Sequence, residues 1–412
     1  MTATERAPGP STTDELIAAA TAVLPDVIPI RRRIHRRPEV GTDLPETQRV
    51  IVDELERLGL ETTKGTALSS VTATIAGGRP GPTILLRADM DALPLHEDTD
   101  LDFASEIHGA MHACGHDTHV AMLLGATRLL LDRRAELPGN VRLMFQPGEE
   151  GFGGAATMIE EGVLETPLDS PLTGAFAVHI STKYRSGRVR LRPGVELAST
   201  DTIRITVRGR GGHASAPHQT VDPIAVAAEI VLALQAMVTR RIDVFNPAVV
   251  TIAQITAGTT NNIIPETAFL FGTIRTVSER TRELTRAGVE RVARGIAAAH
   301  DATVEIDLEP GYPVTENDEA FSEFVLATAR DLVGEDLVEP LPNPIMGGED
   351  FSYVLQRVPG AMAFLGGRPA GIDPATAPQN HSNVVVFDEP AMTTGIALYA
   401  AVAIRHLEAA AT

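Results

Sequence analysis

The only cysteine of the 412-residue chain, Cys114, stands in MHACGHDTH (Met111 to His119) with His112, His116 and His119 around it. A thiolate among imidazoles is a donor set for a divalent first-row metal ion. Carboxylates recur in pairs elsewhere: Asp89 and Asp91 in LLRADMDALP, Glu149 and Glu150 in PGEEGFGGA. Further histidines stand at His179, His213 and His381. Asp89 and Asp91 alternate along a strand and so point the same way, a costly arrangement unless something positive is nearby. Taken singly, each motif has a bland alternative: an inert buried cysteine, a solvated turn, an ordinary helix start. Their recurrence along one chain favours a site.

Placing these residues requires regular elements. Apolar residues at helical spacing run from Asp14 to Arg37, where a basic cluster reads as a solvated helix end before Pro38. A second amphipathic helix covers Thr47 to Leu58. Val71 to Ile75 and Thr83 to Asp91 read as a hairpin-like pair across GGRPGP, and the run Ile84 to Leu86 is apolar throughout, as in a strand buried on both faces. Cys114 and His116 directly precede a helix with Asp117 or Thr118 as N-cap, whose dipole should lower the thiol pKa; His119, in its first turn, reads as support or surface. Short strands at Val141 to Phe145 and Ala175 to Val178 lead to Glu149–Glu150 and His179. The candidate groups thus gather at element ends of an alternating pattern, and open α/β sheets bind ligands beyond strand carboxyl ends.

From Ser186 to Pro310 the order becomes β-α-β-β-α-β, a ferredoxin-like sequence of elements. It carries His213 in GRGGHASAPH, Asn261 and Asn262 in NNIIP, and Arg275 ending GTIR, a polar set suited to holding a carboxylate and polarising a carbonyl. A net charge of -19, no Trp and 4% aromatics argue against nucleic-acid partners. Ala225 to Val238 is interrupted by Glu229 and Gln235, which argues against a membrane span. One cysteine rules out an intrachain disulfide, and MTATERAPGPSTT lacks an apolar signal core, so a cytoplasmic location with a disordered lead over residues 1–13 is expected.

The motifs LLRADMDALP, HACGHDTH, PGEEGFGGA, GGHASAPH, NNIIP, GTIR and GGEDFSY, with the closing His381 loop, resemble the amidohydrolase branch of the dinuclear metallopeptidases. That group comprises N-acyl-L-amino acid amidohydrolases, hippurate hydrolases and auxin-conjugate hydrolases. The resemblance implies an α/β fold: a catalytic domain with a mixed sheet flanked by helices, over residues 1–186 and 311–412. A ferredoxin-like lid and dimerisation domain at 187–310 would interrupt it. It implies two divalent ions, Zn foremost with Mn, Co or Ni as alternatives, on Cys114, His116, Glu150, His179 and His381. Cys114 would bridge them, with Glu150 and His381 on one ion and His116 and His179 on the other. Glu149 would be the general base, Asp91 would orient a ligand, and His213 would stabilise the oxyanion, often from a partner subunit. Asn262 and Arg275 would clamp the substrate carboxylate. The expected reaction is hydrolysis of small N-acyl-L-amino acids by metal-activated water in a homodimer. The alternatives are a dipeptidase, a carboxypeptidase, an N-acetyl-diaminopimelate deacetylase, or a catalytically silent metal- or ligand-binding module.

Overall fold

The structure is a computed structural model describing residues 12–167 and 169–410; the expected disordered lead lies outside the described residues as far as residue 11, and residues 12 and 13 begin the first helix. In chain order, α1 (Thr12–Arg36), α2 (Pro45–Arg57), β1 (Thr62–Lys64), β2 (Val71–Ala76) and β3 (Arg79–Asp89) come first. Next are α3 (His116–Asp132), β4 (Pro138–Gln146), α4 (Gly154–Glu160), β5 (Leu172–Arg185), β6 (Val189–Arg190) and β7 (Gly194–Leu197). Then follow β8 (Ser199–Arg208), β9 (Gly212–His213), α5 (Pro223–Arg241), β10 (Ala248–Ala257), β11 (Ile263–Ile264), β12 (Thr267–Thr276), α6 (Glu279–Ala299) and β13 (Thr303–Pro310). β14 (Thr315–Asn317), α7 (Glu319–Val333), α8 (Ser352–Leu355), β15 (Gly360–Arg368) and α9 (Met392–Ala410) close the chain.

Two compact units result. The larger takes residues up to 194, 316–342 and 353 onward; the smaller takes 195–315 and 343–352. The segment 343–352, which the sequence assigned to the catalytic domain, joins the smaller unit by backbone pairing. Ala198 N donates to Ile345 O and Gly347 O, both at 3.0 Å.

In the larger unit a seven-stranded mixed sheet has the order β1-β2-β4-β3-β5-β15-β6. The expected hairpin between β2 and β3 does not form, because β4 lies between them, antiparallel to β2 and parallel to β3. The continuous apolar run of β3 explains the difference. Ile84, Leu85 and Leu86 are fully buried, and a strand of that kind is satisfied by a neighbour on each edge, here β4 and β5. Helices α1, α3 and α9 supply much of the core against this sheet, with Val120, Leu123, Leu124 and the whole run Ile396–Ala403 buried.

The basic end of α1 also departs from expectation. Arg31 and His35 are each only 1% exposed. Arg31 Nε donates to Asp117 Oδ2 at 2.7 Å, and His35 meets Asp117 at 2.9 Å and Glu97 at 3.2 Å. Arg31 and Arg32 share Glu389 and stack on Phe103. Spaced four apart, Arg31 and His35 lie on one face of the helix and turn inward onto carboxylates from distant segments.

The smaller unit is an antiparallel sheet of order β10-β12-β8-β13. That order, with α5 after β8 and α6 after β12, is the ferredoxin-like arrangement. Asp222 and Ser278 cap the two helices through Ile224 N and Thr281 N. By length and composition α5 could cross a membrane. Its Val226, Ile230 and Leu234 instead pack with Ile203, Ile205 and Val207 of β8 and Val289 and Ala293 of α6.

Tyr399 on α9 reaches the junction of β3 and β5, donating to Arg87 O at 2.7 Å and accepting from Val178 N at 3.0 Å. Replacing it, Tyr399→Phe, strips two buried backbone groups of their partner. We expect the variant to fold but to lose about 1–3 kcal/mol in urea denaturation; an unchanged midpoint would count against this role.

Candidate metal centre

The β3–β5 ladder ends at Arg87 and Ala177, two residues before β3 itself stops at Asp89. Beyond that point β5 is still paired with β15 on its other edge. Three side chains take the alternate backbone N–H groups left open: Tyr399 takes Val178 N, His119 Nε2 takes Ile180 N at 2.7 Å, and Asn380 Oδ1 takes Thr182 N at 3.2 Å. Two of the three belong to the site. His119 is fully buried, and Nδ1 faces the Asp89 carboxylate. With Nε2 accepting, its proton sits on Nδ1, so the ring is a strut, consistent with support and not surface. Asn380 donates to Cys114 O at 3.1 Å and Ile180 O at 3.0 Å, tying the last loop to both the cysteine and β5.

His179 lies inside β5, not at a strand end, because the strand runs on to Arg185. Its Nδ1 donates to Ile180 O at 2.8 Å, leaving Nε2 to face Cys114 Sγ at 3.5 Å. His381 Nε2 faces the same sulfur at 3.3 Å and Glu150 at 3.3 Å. The His381 backbone is left-handed, φ 70°, held by donation from His381 N to Ala113 O at 2.9 Å. Gly115 caps α3 with φ 87°, and a Cβ there would stand 2.5 Å from Ile180, so only glycine fits between cysteine and helix. The expected caps do other work: Asp117 pairs with Arg31, and Thr118 Oγ1 donates to Gly115 O.

Asp91 organises the acidic loop. Its two oxygens accept from Glu149 N and Glu150 N, both at 3.0 Å, and Oδ1 lies 3.5 Å from His116 Nδ1. On the other side of that ring Asp89 Oδ2 lies 3.5 Å from Nε2. The positive group that two neighbouring carboxylates need is Arg87, buried and 2.7 Å from Asp89; it also donates to Gln146. The strand ends at Asp89, two residues short of the expected Asp91, but the alternate spacing of Arg87 and Asp89 on it is a signal that could have revealed the pair.

The donor atoms fall into two groups of three that share Cys114: Cys114 with His116 and His179, and Cys114 with Glu150 and His381. A third group joins His116, Glu149 and Glu150. Both ring nitrogens of His116 and Glu150 Oε1 are buried without a hydrogen-bond partner. Buried polar atoms aimed at one another across a few ångströms, with no hydrogen bond of their own, fit cations between them. The thiol behaves differently from the expectation that a helix dipole would acidify it. Burial and the charge of Glu150 push the Cys114 pKa up, so a nearby cation is what would favour the thiolate. His112, buried beside this cluster, has neither nitrogen hydrogen-bonded, and burial pushes its pKa down to about 3.

In the smaller unit Arg275 is partly buried at the end of β12, its Nε donating to Thr273 Oγ1 at 3.1 Å. Burial pushes its pKa below the ordinary value. His213 is exposed on β9, its Nδ1 accepting from Ser215 N and facing Ser215 Oγ, and Ala214 N donates to Asn262 O. Arg275 pairs with Thr200, whereas Thr267, at the other end of β12 near Asn262, pairs with Arg208. Eight residues of strand, about 27 Å, separate those ends. Within one chain, Arg275 and the segment leading from Asn262 thus meet opposite ends of that strand.

A model of Peptidase family M20/M25/M40 matches residues 85–405. The chain is 40% identical to thermostable carboxypeptidase 1 of Saccharolobus solfataricus, over 92% of this chain and 95% of that one. It is 36% identical to an IAA-amino acid hydrolase of Arabidopsis thaliana, with coverage of 92% and 86%. It is also similar to the crystal structure of a dinuclear metal-binding peptidase of the M20 family from Bacillus subtilis: TM-score 0.79, 34% identity, covering 94% of this chain and 99% of that one.

Asp117, next to His116, gives a test of the buried network. Burial alone would raise its pKa, but Arg31 and His35 hold it well below the usual carboxylate range. A folded value below the unfolded one, about 4, means that the group stabilises the fold above that pH and loses this contribution as pH falls toward its folded value. Metal-free Asp117→Asn should be about 3–5 kcal/mol less stable at neutral pH, and its stability should fall less on acidification below about pH 4. Urea midpoints between pH 3 and 7 check this; parallel curves for parent and variant would contradict it.

Proposed function

The chain belongs to the M20/M25/M40 family of metal-dependent peptidases and amidohydrolases, and from that membership we propose that it hydrolyses N-acyl-L-amino acids at the amide bond, releasing a carboxylic acid and a free amino acid. The observation that carries the proposal is the position of Glu149 beside two three-donor groups that share Cys114. In this reading Cys114, His116 and His179 hold one ion, and Cys114, Glu150 and His381 hold the other. Thiolate, imidazole and carboxylate together suit Zn, with Mn, Co or Ni as the other candidates. Bound there, such ions would polarise the scissile carbonyl and make water easier to deprotonate.

Glu149 takes the proton of the attacking water and passes it to the leaving nitrogen. It is 6% exposed, and its backbone is held by Asp91. Asp91 also stands beside His116 Nδ1 and so orients that ring. Arg275, a half-withdrawn guanidinium with a free fork, reads the carboxylate of the amino acid. His213 steadies the developing oxyanion, its Nδ1 being engaged and its Nε2 free. Since Arg275 lies at one end of β12 and the β9–β11 pair with His213 and Asn262 follows the other end, a substrate served by all three would take them from two copies. A homodimer through the smaller unit supplies them. Its edge strand β10 and the exposed Ile224, Leu232 and Ile255 offer the surface.

A second reading, peptide cleavage from the carboxyl end, is favoured by the relatives named carboxypeptidase at 40% identity. A panel of N-acetyl and N-benzoyl amino acids against dipeptides decides between the two. A silent binding module would have no use for Glu149 in this position.

Glu149→Gln should lower turnover at least about a hundredfold while metal content, read by atomic emission, stays at the parent level; near-normal turnover would reject Glu149 as the base. Mixed subunits test the dimer. His213→Ala and Arg275→Gln, each inactive alone, should regain part of the parent activity when unfolded and refolded together, because one site of each mixed dimer is intact. No recovery, with mixed dimers demonstrated, would place all three groups in one chain's service.

A further inference from the structure

Away from the donor cluster, the larger unit contains a cavity of about 230 Å³ lined by Thr63, Lys64, Ser70, Thr72, Arg142 and Met158 among others. Its chemistry follows from strand alternation. Val141, Leu143 and Phe145 of β4 enter the main core, so Arg142 faces the opposite side of the sheet. There Nη1 donates to Thr74 Oγ1 at 3.1 Å, while the buried Nε has no hydrogen-bond partner. Burial pushes this guanidinium's pKa down, and no carboxylate offsets it. Lys64 adds a second positive charge to the wall. The acidic residue of the lining, Glu161, is already engaged. Its Oε1 accepts from Thr66 N, Thr66 Oγ1 and Ala67 N at 2.7, 2.7 and 2.8 Å, which fixes the loop after β1. The floor is apolar, with Met158 and Val163 buried.

A guanidinium drawn partly out of water beside a second positive side chain is stabilised by an anion seated against both. We infer that this cavity binds a small organic carboxylate, its oxygens between Arg142 and Lys64 and its apolar body against Met158 and Val163. The hydroxyls of Ser70 and Thr72 complete the polar wall. Helix α4, which carries Met158, begins four residues after Glu150, so the occupant touches the segment that follows the acidic pair. Acids of this class are also what amide hydrolysis under the proposed function would release. The binding site does not depend on that reading.

Calorimetric titration of metal-free, full-length protein with benzoate and with acetate, at low ionic strength, tests the site without measuring turnover. The expected result is saturable binding that weakens about tenfold in Arg142→Gln, weakens less in Lys64→Gln, and is unchanged in Arg405→Gln, an arginine paired with Asp331 outside the cavity lining. Thr72→Val, which leaves both cations in place, should also weaken binding and guards against a folding defect in Arg142→Gln. No saturable binding to the parent overturns the inference. So does loss of binding in Arg275→Gln in place of Arg142→Gln, or saturation by inorganic phosphate with none by the organic acids.

Discussion

β5 outruns β3, and the site depends on that mismatch. A parallel ladder that stops leaves a row of backbone N–H groups in a buried place, each costing about 1–3 kcal/mol if nothing accepts from it. Tyr399, His119 and Asn380 accept from them in turn. Each of these side chains is thereby fixed at both ends: Tyr399 to Arg87, His119 to Asp89, Asn380 to Cys114. The opening beyond the end of β3 is thus framed by groups whose positions are set by backbone satisfaction, and Cys114, His116, His179 and His381 stand within that frame.

The same region concentrates charge. Asp89, Asp91, Glu149 and Glu150 converge with little solvent around them. The protein offsets part of that cost with Arg87 and with the Glu149 and Glu150 backbone N–H groups on Asp91. The remainder falls on His116 and Glu150, whose buried atoms make no hydrogen bond while facing one another and neighbouring charges. Burial penalises the thiolate of Cys114 and the charged forms of His112 and His179. The donor chemistry at this centre fits cations, in agreement with the family membership.

Much of the site could be read from residue types. Thiol, imidazole and paired carboxylates at element ends singled out Cys114, His116, Glu149, Glu150 and His179, the resemblance added His381 to the ligand set, and the structure gathers their donor atoms. The ferredoxin-like element order was legible from alternation and caps, since Asp222–Pro223 and Ser278 mark helix starts locally. What escaped depended on partners far along the chain. Arg31 and His35 looked like a solvated helix end because Asp117, Glu97 and Glu389 are not their sequence neighbours. The β2–β3 hairpin looked plausible because nothing in either strand announces that β4 inserts between them. Asn380 carried no signal, its role being to satisfy a backbone group two hundred residues away. Thiol acidity was misjudged because the helix dipole is a local property and burial is not.

The discontinuity of the larger unit dictates an order of assembly. Its sheet needs β15, its core needs α9, and its donor set needs His381, all of which follow the smaller unit in sequence. During synthesis, residues 195–315 emerge while the larger unit still lacks these parts. The smaller unit can therefore fold nearly complete, wanting only 343–352, before the strand that closes the main sheet has left the ribosome. Until then, β5 carries an unpaired edge on the β15 side, and Cys114 waits beside His179 without its third neighbour. On the reading proposed above, the Cys114, Glu150 and His381 group would be completed only after the smaller unit has emerged.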